Sequence, residues 1–136
     1  MKLEEQVSNL ELSKKLERLG VKQESVWYWV RFDHGNKKVK DWALLERKNC
    51  FNEEDTLHID YVSAFTVAEL GEMLPDGVKM LKNCCSQESH KWTVSRFQPR
   101  PNIVFDTHRI EFEAETEADA RAKMLIYLIE NTFLTL

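Results

Sequence analysis

Residues 116–131 read Thr-Glu-Ala-Asp-Ala-Arg-Ala-Lys-Met-Leu-Ile-Tyr-Leu-Ile-Glu-Asn, which predicts a long helix around which the rest of the chain packs. Thr116 can accept a hydrogen bond from a backbone N–H at the helix start, and the acids Glu117 and Asp119 suit the positive end of the helix dipole. No Gly or Pro interrupts the stretch, so we expect it to stay helical to Asn131.

The apolar residues of this helix predict that it is buried on more than one side. A stripe at helical spacing should lie on a sheet, as is usual in a small domain: Ala118, Ala122, Leu125, Ile126, Ile129 and Phe133. Residues 124–129, however, are apolar all round the helix, which one buried face cannot satisfy. We therefore expect either another helix of the same chain or a second subunit to cover the back.

Size and composition favour one globular domain over residues 1–136. With 136 residues, 43% of them apolar, the chain can fill one core, whereas two independent cores would be hard to fill. The net charge of −4 opposes a grip on DNA or on an anionic membrane by overall electrostatics, but it is compatible with a local basic patch.

The compartment is predicted from what the sequence lacks. No run approaches the roughly 20 apolar residues of a membrane span, and residues 1–5 carry acids where a signal peptide needs an apolar core. Cys50, Cys84 and Cys85 are odd in number and two are adjacent, which favours reduced thiols over a disulfide framework. We expect a cytoplasmic protein without a membrane partner.

Capping signals predict two further helices. Ser8 with Glu11, and Thr66 with Glu69, fit the capping box, in which a hydroxyl and a carboxylate satisfy each other's backbone N–H groups. Gly20 offers a left-handed stop for the first of them. The predicted helices thus cover residues 9–19, 67–74 and 116–131.

Strands are predicted where β-branched and aromatic residues cluster or alternate. They fall at residues 26–32, 39–46, 57–62, 91–98, 103–105 and 109–114, with a turn at 33–36 and a loop at 49–56. The first strand places Val26, Tyr28, Val30 and Phe32 on one face and Trp27, Trp29 and Arg31 on the other. Because both faces carry large apolar groups, either helices lie on both sides or the second face meets a partner.

The later strands predict one inward and one outward face. Trp92, Val94 and Arg96 alternate with Thr93, Ser95 and Phe97, and Ile110, Phe112 and Ala114 should point inward while Arg109, Glu111 and Glu113 point outward. Strand pairs joined by short turns favour antiparallel pairing. We therefore predict an α+β, sandwich-like fold in the order α-β-β-α-β-β-α, with one antiparallel sheet of four to five strands flanked by helices.

The hairpin over residues 27–48 is the most site-like segment. It holds six Lys or Arg and three Asp or Glu, so it carries +3 in a chain whose net charge is −4. Aromatic rings beside cations are how sheets hold single-stranded nucleic acid. The residues for such a role are Trp27, Trp29, Arg31, Lys37, Lys38, Lys40 and Trp42. The interpretation that we favour is that the tryptophans are packing groups and the lysines solvate the turn.

Signals for other chemistry are weak. Residues 65–74 resemble the first helix of a helix-turn-helix, but residues 78–83 are too short for a recognition helix. The cysteine and histidine spacings match no zinc pair. Local His–Asp pairs exist without a catalytic motif around them: Asp33 with His34, His58 with Asp60, and Asp106 with His108. We predict no catalytic residue, no metal site and no cofactor, and hence no enzyme.

Three blocks carry a resemblance to known proteins. They read Leu-Ser-Lys-Lys-Leu-Glu-Arg-Leu-Gly-Val-Lys-Gln-Glu-Ser at residues 12–25, Ser-Ala-Phe-Thr-Val-Ala-Glu-Leu-Gly-Glu-Met-Leu-Pro at residues 63–75, and the helix at 116–131. Together they resemble small proteins of unknown function from bacteriophages, prophages and gut bacteria, and more loosely phage domains described as α-β-α sandwiches. The resemblance implies a fold and no site residues.

The function that we expect is that of a non-enzymatic accessory protein of a phage or mobile element, acting by protein contact. The excess apolar surface of the last helix favours a homodimer or another protein partner. The residues expected at that interface are Met124, Tyr127, Leu128, Phe133 and Leu134. A nucleic-acid-binding module that uses the hairpin is the alternative.

Overall fold

The computed structural model describes residues 1–34, 37–38, 41–50, 58–82, 91–99 and 107–136, and within them the chain is a mixed α+β fold. After a short 3-10 helix at Leu3–Glu5, the elements are α1 (Leu10–Arg18), β1 (Trp27–His34), β2 (Lys37–Lys38), β3 (Ala43–Glu46), α2 (Arg47–Cys50), β4 (His58–Ala64), α3 (Val67–Met73), β5 (Lys79–Lys82), β6 (Trp92–Pro99), β7 (Thr107–Ala114) and α4 (Glu117–Glu130).

Helix α1 begins one residue later than the capping signal predicts. Asn9 is its N-cap and accepts a hydrogen bond from the Leu12 N–H at 2.9 Å. Ser8 is instead fully buried, where its hydroxyl bonds that of Ser13 at 2.7 Å and accepts the Phe65 N–H at 3.1 Å. The predicted Ser8 cap is therefore wrong, because Ser8 joins the start of α1 to the end of β4.

The first sheet is built on β1. Strands β3 and β4 pair antiparallel with the same residues of β1, on its two edges, and β2 pairs antiparallel with the end of β1. Tyr28 and Val30 pack with Cys50 of α2 on one face, while the Trp29 indole on the other face donates to the Ser8 carbonyl at 3.0 Å, beside α1. One face of β1 thus packs on α2, and on the other face Trp29 is bonded to the segment that precedes α1. The predicted turn residues Gly35 and Asn36 lie outside the described residues.

The second sheet is the antiparallel meander β5-β6-β7. Its register puts Val94 opposite Met80 on one side and Phe112 on the other, so these three share the face that packs on α4. Ile110 and Ala114 are buried, whereas Arg109, Glu111 and Glu113 are exposed. The predicted inward and outward faces of β7 are confirmed.

Helix α3 begins and ends as its sequence predicts. Thr66 accepts the Glu69 N–H at 3.2 Å, and the Glu69 carboxylate accepts the Thr66 N–H at 2.7 Å, which completes the capping box. Gly71 lies where α3 meets α4, and a Cβ on it would stand 2.8 Å from a guanidinium nitrogen of Arg121. The missing side chain allows this close approach, which explains why a weak helix former is tolerated there.

Helix α4 lies between the two halves of the fold. It contacts α1 and α3 on one side and β6 and β7 on the other. One stripe, with Ala118, Ala122, Leu125 and Ile126, joins a core formed with α1 and α3, and a second stripe, with Ala120, Met124 and Leu128, joins a core formed with the second sheet. The prediction that the first stripe lies on a sheet is wrong. The other side of the helix, which we expected another helix of the same chain or a second subunit to cover, packs on the second sheet of the same chain.

The layers differ from the predicted sandwich. The strands form two small antiparallel sheets rather than one sheet of four to five strands, and α1 and α4 lie between them, since α1 contacts β4 and α4 contacts β6 and β7. The structure also contains α2 and β5, which the sequence does not predict, whereas β4 falls on the strand predicted at residues 57–62. The coarser prediction of an α+β fold with antiparallel pairing is confirmed.

Replacing Ser8 by alanine should lower the free energy of unfolding by about 1–3 kcal/mol, because the buried Phe65 N–H loses its acceptor. Ser13→Ala should cost less, since the Ser8 hydroxyl then still accepts that N–H. Urea denaturation of the two variants measures the difference. An equal loss, or a larger one for Ser13→Ala, would contradict this role of Ser8.

Leu128→Ala should lower the free energy of unfolding by about 2–5 kcal/mol, because a fully buried side chain leaves a cavity between α4 and the second sheet. A loss no larger than that of an exposed side chain would contradict the burial of Leu128. Phe133→Ala, at a side chain that is 53% exposed, is the control and should change stability little.

Candidate functional site: a cleft around Trp42

A cleft of about 360 Å³ opens between α1 and the first sheet. Its lining residues are Lys14, Glu17, Arg18, Arg31, Trp42, Asp60, Tyr61 and Val62. It is the place where the aromatic and basic residues of the predicted hairpin meet cations from another element.

The elements explain how these side chains come together. On α1, residues three and four positions apart share a face, which brings Lys14, Glu17 and Arg18 to the cleft. Arg31 of β1 and Asp60 of β4 are partners in the antiparallel register, so they lie side by side on one face of the sheet. Trp42 directly precedes β3 on the other edge of β1.

Trp42 is the centre of the charge arrangement. The Lys14 ammonium lies 4.7 Å and the Arg31 guanidinium 5.3 Å from the ring centroid, both within the range of a cation–π contact. Arg31 also forms an ion pair with Asp60, and the two side chains are 42% and 41% exposed. With Arg18 and Glu17, the lining holds three cations and two carboxylates, so the cleft is locally positive in a chain of net charge −4.

The structure divides the predicted nucleic-acid residues. Arg31 and Trp42 line the cleft, whereas Trp29 is tied to the Ser8 carbonyl and acts as a packing group, and Trp27 is partly buried on the same face of β1. The backbones of Lys37 and Lys38 form β2, but their side chains, and Lys40 altogether, lie outside what the structure describes.

Two cations of the cleft were missed by sequence reasoning. Lys14 and Arg18 belong to the polar face of a short amphipathic helix, which predicts solvent contact, and nothing local indicates that this face borders a tryptophan from another element. Their spacing of four residues on one helix face was the only available signal.

The predicted interface residues fall into two groups. Met124 and Leu128 are fully buried in the core with the second sheet, so they are not accessible to a partner of the folded chain. Tyr127 is partly buried, with its ring centroid 5.5 Å from that of Phe112 and 6.3 Å from that of Phe133. Phe133 is 53% exposed and Leu134 is partly buried against both cores of α4.

Beside Tyr127 lies a second, more apolar groove. It has a volume of about 330 Å³ and is lined by Leu12, Lys15, Phe112, Lys123, Ile126, Tyr127 and Glu130. Lys15 and Glu130 form an ion pair across one end at 3.0 Å. Along this groove the surface of α4 is open between Leu12 of α1 and Phe112 of β7.

A larger cavity, of about 760 Å³, lies where β1, α2 and α3 begin. One of its acids, Glu69, accepts hydrogen bonds from the Thr66 and Val26 N–H groups and from the Ser25 hydroxyl, at 2.7, 3.1 and 2.9 Å. These contacts join α3 to the start of β1, which is a structural role. We therefore place the candidate site at the Trp42 cleft.

The described residues bring together no catalytic or metal-binding set. No group of three or more His, Cys, Asp or Glu among them is arranged to hold a metal ion. Asp60 is taken up by Arg31, while the side chains of His34, His58 and His108 lie outside the described ones. Cys50 is buried, its thiol lies 3.3 Å from the Glu46 carbonyl oxygen, and burial raises the pKa of this thiol above its ordinary value. Cys84 and Cys85 lie outside the described residues.

Comparison with known proteins adds no relative: no family model, curated protein or solved structure matches the chain. None of the helices in the described part of the chain has the length and apolar character needed to cross a membrane.

Proposed function

We propose that this protein is a non-enzymatic binding protein that holds single-stranded nucleic acid in the Trp42 cleft. The observation that carries the proposal is the pair of cations, Lys14 and Arg31, at 4.7 and 5.3 Å from the Trp42 ring in an open cleft. Proteins that bind single strands combine aromatic faces for the bases with cations that follow the backbone.

The two cations have different roles in this proposal. A base that stacks on Trp42 has to displace one of them from the ring. Lys14 has the more flexible side chain, so we expect its ammonium to move to a neighbouring phosphate. Arg31 is held by its cross-strand partner Asp60, and its planar group can itself stack beside a base. The ring and three cations would then serve one or two nucleotides.

The overall charge limits the strength of this binding. A net charge of −4 repels a polyanion at long range, so attraction comes from the local excess of cations in the cleft. If Lys14 and Arg18 each replace one counterion while Arg31 stays paired with Asp60, the logarithm of the binding constant should fall against the logarithm of salt concentration with a slope of about −1.4. Affinity should be measurable at low salt and small at high salt.

Fluorescence anisotropy with a labelled single-stranded oligonucleotide of about 10 nucleotides measures this binding. Trp42→Ala should weaken it on the order of tenfold or more through the loss of base stacking, and Trp42→Phe should keep most of it because a ring remains. If the nucleic acid continues from the cleft along the hairpin, replacing Lys37, Lys38 and Lys40 together by alanine should make the dependence of the binding constant on salt less steep.

Lys14→Gln and Lys22→Gln form the matched control pair. Both remove one lysine charge, but Lys22 is paired with Glu24 at the exposed surface outside the cleft. Only Lys14→Gln should weaken binding markedly. If both variants weakened binding equally, the oligonucleotide would be held by non-specific electrostatic attraction and not by the cleft. If the wild type bound no oligonucleotide at low salt, the proposal would be wrong.

Protein contact is the second candidate, as expected of an accessory protein of a phage or mobile element. The specific observation in its favour is that Phe133, 53% exposed, stacks on Tyr127 at the edge of the apolar groove. We rank it second because Met124 and Leu128, two of its five expected contacts, are buried within the chain.

If this groove holds a second copy of the chain, light scattering at micromolar concentration should give the mass of a homodimer. Phe133→Ala should then give a monomer whose thermal midpoint no longer rises with protein concentration, because the exposed ring contributes to association and little to the folding of one chain. A wild-type monomer across the concentration range would remove the homodimer, and a dimer unaffected by Phe133→Ala would place its interface elsewhere.

A further inference from the structure

We infer that the Trp42 cleft selects the phosphate-bearing end of a single strand over its interior, because Asp60 already occupies the arginine that a phosphate would use; this rests on the proposed function. The terminal group is a phosphate monoester, and the interior offers only phosphodiesters.

The first step is that Arg31 is not free. It lies opposite Asp60 in the register of β1 and β4, and the two side chains form an ion pair inside the cleft. Because both are fixed to paired strands, the carboxylate stays close to the guanidinium when a ligand enters. An anion therefore has to compete with Asp60 for the same fork of N–H donors.

The two anions that compete for Arg31, the Asp60 carboxylate and a phosphate of the strand, differ in charge. A phosphodiester carries one negative charge, as the Asp60 carboxylate does, so exchanging one for the other gains little electrostatic energy. A terminal phosphate carries about −1.5 to −2 at pH 7 and offers three acceptor oxygens. Arg18 and Lys14 are close enough to line the same cleft and can take the additional charge.

The third step is the size of the cleft. At about 360 Å³ it is near the lower end of ligand pockets, which run from roughly 300 to 1,000 Å³. Helix α1 closes one side and the first sheet the other, so it is a pocket for about one nucleotide rather than a continuous track along the sheet. A strand end fits such a pocket more easily than a chain that must enter and leave.

The test uses three oligonucleotides of one sequence, labelled internally, with a 5′-phosphate, a 3′-phosphate or no terminal phosphate. The wild type should bind at least one phosphorylated form roughly fivefold more tightly than the unphosphorylated form, the effect of about one additional charge near a solvated cation. Asp60→Asn should tighten binding of the unphosphorylated strand, because Arg31 is released, and so narrow the preference.

Glu24→Gln is the matched control, since it removes one acid from an exposed ion pair outside the cleft and should leave the preference unchanged. Arg31→Lys provides a second readout if Asp60→Asn does not fold: it keeps the charge, removes the fork, and should also reduce the preference. Equal affinity of the wild type for all three strands would overturn the inference while leaving the proposed function intact. A preference that neither Asp60→Asn nor Arg31→Lys changes would also overturn it, and no binding of any strand would instead overturn the proposed function.

Discussion

The burial of α4 on two sides is the constraint on which the rest of the structure depends. Its Leu125 side faces α1 and α3, its Leu128 side faces the second sheet, and both side chains are fully buried. Burying a leucine stabilises a fold by about 1.5–3 kcal/mol, so neither side can be left wet without a large loss. The layers follow from this: a sheet must lie on one side of α4 and other helices on the opposite side, and the first sheet then packs against α1.

The cleft is a consequence of that arrangement rather than of any one element. Helix α1 must contact α4 with one face and β4 with another, which leaves its charged face along the edge of the first sheet. Trp42, placed just before β3, meets that face and brings a large polarizable ring beside Lys14. The Arg31–Asp60 pair adds the second cation and fixes it to two paired strands. Packing and binding chemistry thus share the same helix.

Local signals predicted most of the elements, and non-local pairing limited the rest. The Thr66–Glu69 capping box and the alternation around Ile110 were readable because they depend on neighbours in sequence. The division of the strands into two sheets was not readable from the sequence. It depends on the pairing of β1 with β4, which follows β1 by more than twenty residues. Half of the cleft was readable for the same reason: Arg31 and Trp42 stood out within one hairpin, whereas Lys14 entered only through the tertiary fold.

Three alanines of α4 set how tightly the two halves of the molecule are tied together. Ala118 and Ala122 face the helical core, Ala120 faces the core of the second sheet, and all three are fully buried. With such small groups the helix backbone stands close to both neighbours, so there is no spare volume on either side to absorb a shift. A substitution in α3 that displaces α4 therefore also displaces α4 relative to β6. We expect the acceptable substitutions in the two halves of the gene to be interdependent, with a change on one side tolerated only in the company of a compensating change on the other.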